Sequence, residues 1–128
     1  MAFLNEEGLA ELWSLIRAKD LKMKTGSYVG KGKYGKSNPN SLTFEFEPKL
    51  LVVGDADGAP LVMICSQSEL FCSWHNSSGV YQCSCVRNGN TASWWNLNYQ
   101  PVLGSHESAN PTGQKDYYGT TYHYVAIG

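Results

Sequence analysis

Val80-Tyr81-Gln82-Cys83-Ser84-Cys85-Val86-Arg87-Asn88-Gly89-Asn90-Thr91-Ala92-Ser93-Trp94-Trp95 is the stretch whose reading decides the fold class. Asn88-Gly89 suits the positive φ angles of a two-residue type I′ turn, so Cys83–Arg87 is expected to pair with Asn90–Trp95 as a β-hairpin. Working outward from that hairpin, the chain keeps the same grammar. Glu69 to His75 joins Val80 to Arg87 through Asn76-Ser77-Ser78-Gly79, and Leu50 to Val53 returns as Leu61 to Cys65 around the turn Asp55-Ala56-Asp57-Gly58. Leu42, Phe44 and Phe46 alternate with Thr43, Glu45 and Glu47 as a half-buried strand that Pro48 ends, and Thr121 to Ile127 reads as a closing strand.

About seven to eight short strands separated by turn signals indicate an all-β fold: an antiparallel β-sandwich, jelly-roll-like, preceded by one N-terminal helix. The helix occupies residues 1–20, where Leu9, Leu12, Trp13 and Ile16 recur at i, i+3, i+4 and i+7. Asn5 is a suitable N-cap, Glu6 and Glu7 suit the positive end of the helix dipole, and Arg17 and Lys19 suit the other end. A helix this short needs a partner for its apolar stripe, so those four residues are oligomerisation candidates, packing on their own domain or on equivalent helices of other copies. Residues 21–128 then form the sandwich.

The chain has 128 residues, a net charge of -1 and 16% charged residues. One domain follows from the length. A near-neutral balance leaves no electrostatic footprint for nucleic acid or an anionic membrane, and no apolar run approaches the 18 or so residues of a membrane span. Met1 to Glu7 lack the basic and apolar regions of a signal peptide, which leads to the expectation of cytoplasmic synthesis. In that compartment Cys65, Cys72, Cys83 and Cys85 read first as buried thiols, ahead of disulfides and of a zinc site, whose usual C-x2-C spacing is absent.

Chemistry finds few footholds. Asp55 and Asp57 resemble the start of a calcium loop without its closing Glu, so a tight turn is preferred. His75 has no nucleophile motif to serve, and His106-Glu107 has no supporting spacing. Between Asp20 and Ser37 five lysines alternate with glycines, but Gly30-Lys31-Gly32-Lys33-Tyr34-Gly35-Lys36-Ser37 lacks the spacing of a phosphate loop and reads as a solvated strand and turn. No catalytic residue, metal or cofactor is expected.

Binding has more support. From Trp94 to Tyr124 the chain is rich in Tyr, Trp, Asn, Ser and Gly and carries only three charges, the composition of an antibody-like contact surface. Aromatic faces stack on the apolar side of a sugar ring while amides serve its hydroxyls. The ligand-binding candidates are Trp95, Asn96, Asn98, Tyr99, His106, Asn110, Tyr117 and Tyr118. One of Trp94 and Trp95 is expected in the core, since adjacent strand residues face opposite ways. The same rings would also suit a subunit interface.

The opening Gly8-Leu9-Ala10-Glu11-Leu12-Trp13-Ser14-Leu15-Ile16-Arg17-Ala18-Lys19 resembles the G-L-x-x-L-W-x-x-I-K-A-K helix of tail-fibre and related tail proteins from phages and prophages of gut Firmicutes. Tyr28 to Lys49 resembles their Y-x-G-x-G-x-Y-G and L-x-F-x-F-x-P-K segment, and Tyr122-His123-Tyr124-Val125-Ala126-Ile127-Gly128 their Y-x-Y-V-A-I-G terminus. The resemblance is specific at both ends and loose between residues 54 and 118. It implies a virion tail component made in a host bacterium, a receptor-binding module for a bacterial surface glycan or protein. It further implies a homotrimer contacting other tail proteins. The alternative it leaves is a structural tail component whose aromatic surface is an interface.

Overall fold

Leu42 alternates with polar neighbours while Leu50–Val53 and Leu61–Ile64 are continuously apolar, and each such run becomes a strand that buries every second residue. The computed structural model describes residues 7–11, 22–98 and 107–128. Within them lie β1 (Met23–Val29), β2 (Asn40–Thr43), β3 (Leu50–Gly54), β4 (Leu61–Ile64), β5 (Leu70–Asn76), β6 (Gly79–Asn88), β7 (Thr91–Leu97) and β8 (Thr121–Ile127). They form two antiparallel four-stranded sheets, β1-β8-β3-β4 and β2-β7-β6-β5. The outer strands wrap as in a jelly roll, β1 pairing with β8 across almost the whole chain and β2 with β7 across 52 residues at Ser41–Ser93, while β3–β4 and β5–β6–β7 stay local hairpins. Residues 7–11 are helical and Leu9 is exposed; Leu12, Trp13 and Ile16 lie outside the described residues.

Two strand expectations shift by small amounts. The β6–β7 turn falls on Gly89-Asn90, with Asn88 paired to Thr91. Gly89 has φ 60° and Asn90 has no positive φ, so the type I′ turn, which needs both, gives way to the pattern with glycine first. β2 stops at Thr43 rather than continuing to Phe46. Phe44 N–H still reaches the Asn90 carbonyl at 3.0 Å, after which the chain bends and Phe46 stacks on Phe44 with ring centres 5.6 Å apart.

The core lies between the sheets. Leu51, Val53, Leu61, Met63, Tyr122 and Ala126 face Trp74, Tyr81, Cys83, Cys85, Ala92 and Trp94. Trp74 stacks on Tyr81, and Tyr28 stacks on Tyr122 against Trp94. All four cysteines are free. Burial pushes the Cys72 thiol up to about 12 and raises Cys83 as well, so both stay protonated and pack as small apolar side chains.

One end of the sandwich is closed by polar residues rather than apolar ones. The turn from Asn110 to Asp116 enters between the sheets, and Gly113, Gln114, Lys115 and Asp116 are all buried. The buried polar side chains of this turn find partners. Trp74 Nε1 donates to the Gly113 carbonyl at 2.8 Å, and Trp94 Nε1 to the Gln114 carbonyl at 2.9 Å. Gln114 Oε1 accepts from the Asn96 and Gly35 amides, and its Nε2 donates to the Asn38 carbonyl. Lys115, only 1% exposed, donates to Asp55 at 2.9 Å and to the Asp57 carbonyl at 3.2 Å, its ammonium 3.4 Å from the centre of the Trp74 ring. Its backbone sits at φ 59°, where a non-glycine residue is held against its preference.

A buried ion pair is neutral or better when both charges go and damaging when one is left alone. Asp55→Ala is therefore expected to destabilise the fold by about 3–5 kcal/mol in urea unfolding. The double variant Asp55→Ala/Lys115→Met should recover much of that, because no charge is stranded. A loss below about 1 kcal/mol for the single variant would contradict this account of the plug.

Candidate functional site

The plug continues into the surface that carries the exposed aromatics. After Asp116 the chain turns through Tyr117, Tyr118 and Gly119, closed by Thr120 N–H donating to the Tyr117 carbonyl at 3.1 Å. This turn is fastened to the β1–β2 loop on both sides of the two tyrosines. Gly30 N–H donates to the Thr120 carbonyl at 2.8 Å, Gly119 N–H to the Gly30 carbonyl at 3.0 Å and Gly32 N–H to the Asp116 carbonyl at 2.6 Å. The Asp116 carboxylate accepts the amides of Lys31 at 3.1 Å and Lys33 at 3.0 Å. Only glycine fits at position 30, where a Cβ would collide with the Tyr117 carbonyl.

The two loops therefore form one rigid tip. Tyr117 is 57% and Tyr118 79% exposed, although the Tyr117 amide and carbonyl are hydrogen-bonded and Asp116, Gly119 and Thr120 on either side are tied to the partner loop. Lys31, Lys33, Tyr34 and Lys36 are exposed on the partner loop. A cleft of about 180 Å³, lined by Tyr28, Val29, Lys31, Lys33, Asn40 and Asp116 among others, lies beside them. The buried Asp116 charge is spent on backbone amides, which leaves the lysines as the net charge of this surface. Such a tip offers flat apolar faces, phenol hydroxyls and cations to a ligand that approaches from solvent. A larger groove of about 790 Å³ lies at the other end of β1, between Met23, Lys24 and the bend Phe44-Glu45-Phe46.

The expected contact residues do not gather in one place. Tyr117 and Tyr118 reach the tip, whereas Trp95 and Asn96 are buried and apart from it, Asn96 1% and Trp95 6% exposed. Asn96 is a hub of the plug: its Oδ1 accepts the Asn110 amide at 2.9 Å and its Nδ2 donates to the Gln82 carbonyl at 2.7 Å. Trp95 points to the outward side of β7 opposite Ser84, yet is 6% exposed, so both members of the Trp94-Trp95 pair are covered rather than one. Asn110 Oδ1 accepts the Gly113 amide and shapes the turn, and Asn98, exposed, accepts the Ala109 amide. Tyr99 and His106 lie outside the described residues.

Composition pointed past the residues that matter most. Gln114, Lys115, Asp116 and Asp55 organise the tip from within, and their one signal was an adjacent Lys-Asp pair in a segment otherwise almost free of charge. His75 is exposed on β5 while neighbouring Trp74 is buried. Among the described residues no three His, Cys, Asp or Glu side chains are placed to hold a metal ion.

Tyr122 ties tip to core, its hydroxyl accepting the Tyr117 amide at 3.0 Å. Burial pushes its pKa up to about 12, and burial together with Tyr122 raises Tyr28. Both phenols are held neutral in the fold. Their contribution to stability is thus complete below pH 10, the ordinary phenol value, and is lost as the pH rises through about 12. Urea midpoints should fall over that window, with Tyr122→Phe flattening the fall; a midpoint constant from pH 10 to about 12 would contradict this. In comparisons with known proteins the chain matches no family model, and neither a curated protein nor a solved structure gives a significant match.

Proposed function

We propose that this chain is a non-catalytic receptor-binding module of a phage tail, and that its tip, with Tyr117 and Tyr118 outermost, contacts a bacterial surface glycan. The observation that supports the reading is the combination of exposure and restraint at those two tyrosines. Their rings stand in solvent while the amides and carbonyls around them are tied to the β1–β2 loop. A frayed loop would lose that exposure advantage to ordering entropy on binding; a fastened one does not.

The chemistry suits a sugar. A tyrosine face stacks on the C–H side of a pyranose, and its hydroxyl together with Lys31 and Lys33 can serve the ring hydroxyls or acidic substituents of the glycan. The resemblance at both ends of the chain to tail-fibre proteins supports the same assignment, and it also carries the expectation of several copies per particle. Weak sugar sites gain from that, because linked copies raise avidity without new contacts.

The test uses Tyr117→Ala/Tyr118→Ala and a panel of cell-wall polysaccharides purified from Gram-positive gut bacteria, with binding read by biolayer interferometry. Losing two stacked rings at roughly 0.7–1.4 kcal/mol each corresponds to about 10- to 100-fold weaker binding. Thermal stability should stay within about 0.5 kcal/mol of the parent, since both side chains are exposed. A double variant that binds as the parent does, or a parent that binds no polysaccharide and no whole cells, would overturn the reading.

A further inference from the structure

Three strands of the β1-β8-β3-β4 sheet are written as nearly continuous apolar runs: Leu50-Leu51-Val52-Val53, Leu61-Val62-Met63-Ile64 and Tyr124-Val125-Ala126-Ile127. Strands covered on one side alternate, whereas strands covered on both sides read as unbroken runs. Among the described residues only one side of these strands is covered. Leu51, Val53, Leu61, Met63 and Ala126 point into the core, and the intervening residues point out.

The register places those outward residues in rows. Met23, Ile127, Leu50 and Ile64 align across all four strands, and Thr25, Val125, Val52 and Val62 form the next row. Neither row contains Asp, Glu, Lys or Arg. Ile64 is 66% exposed, and Met23, Val62 and Val125 are exposed with it. At the β4 edge the surface turns the corner onto Leu70 and Phe71, the latter 67% exposed, around a shared groove of about 350 Å³. β4 itself is an edge strand without the lysine, proline or bulge that usually guards one.

We infer that this outer sheet face is a self-association surface, covered by the same face of a second copy of the chain. Charge selects that occupant. An uncharged face gives nothing for a charged partner to pair with, and its best match is another flat, uncharged sheet face, which every copy of this chain carries. Two such faces pack at about 10 Å with side chains interleaved, the ordinary geometry of stacked sheets. The contact is isologous, each row meeting its own kind across a two-fold axis. It supplies the second covering that the unbroken apolar runs call for.

The two rows lie toward the Met23 end and middle of β1, whereas the tyrosine tip is fastened beyond its Val29 end. Association through this face therefore leaves both tips free. The inference stands on the sheet register and side-chain exposure, independently of what the tip binds.

Native mass spectrometry and light scattering on the full chain at about 100 µM, diluted stepwise to about 1 µM, test it; micromolar strength suits a contact of modest area. The expected result is a species of twice the 14.1 kDa chain mass at the high end, dissociating on dilution. Ile64→Lys and, as a second variant in the other row, Val62→Lys should each give a single-chain mass with an unchanged circular dichroism spectrum. Tyr117→Ala/Tyr118→Ala should leave the paired mass intact, which separates this surface from the tip. A parent chain that stays single at about 100 µM, or folded lysine variants that keep the parent's mass, would overturn the inference. So would association only with vesicles or added protein.

Discussion

The contact between Lys115 and Asp55 beneath the Trp74 ring is the constraint on which the remaining structure depends. A lysine ammonium is costly to remove from water, and here it is removed almost completely. The cost is met locally by a carboxylate, a carbonyl and an aromatic face. Once Lys115 is fixed, its neighbours have no freedom left. Gly113 and Gln114 must present their carbonyls to the two tryptophan N–H groups, and Asp116 must emerge beside the β1–β2 loop. The polar turn thereby satisfies both sheets at once and sets the position of the tyrosines that follow it.

How much of this was legible follows from what kind of signal each part leaves. Strands leave alternation and turns leave glycine and asparagine, so β8 and the three hairpins stand where the residues place them, with the β6–β7 turn moved by one position. The segment after Leu97 leaves only composition, and composition does not distinguish a wet surface from a hydrogen-bonded interior. Asn, Gly and Tyr serve both. Composition alone groups Asn96 and Asn110 with Tyr117 and Tyr118, and the fold separates them: the asparagines shape the plug and the tyrosines cap it.

The Gly-Lys repeat is an instructive case. Its spacing does not fit a phosphate loop, and as a solvated turn its lysine side chains are indeed exposed. Its backbone nevertheless cradles an anion, as amide-rich turns do. That anion is the carboxylate of Asp116, supplied 85 residues away from Lys31. No local pattern could reveal the pairing, because it depends on β1 and β8 lying side by side. The same adjacency dissolves an apparent polarity of the chain. Eight of ten cationic residues fall in the first 49 positions and seven of twelve Tyr and Trp in the last 35, yet lysines and tyrosines meet at one tip.

The 110–116 turn is part of the core rather than a loop resting on it. Hydrogen exchange followed by NMR reads this directly, at the indole N–H groups of Trp74 and Trp94 and the amides of Asn96 and Gly32. If the plug is core, all four exchange only with global unfolding, at the same free energy as the central β6–β7 amides. Exchange of these four groups far ahead of the β6–β7 amides, through local opening, would contradict it.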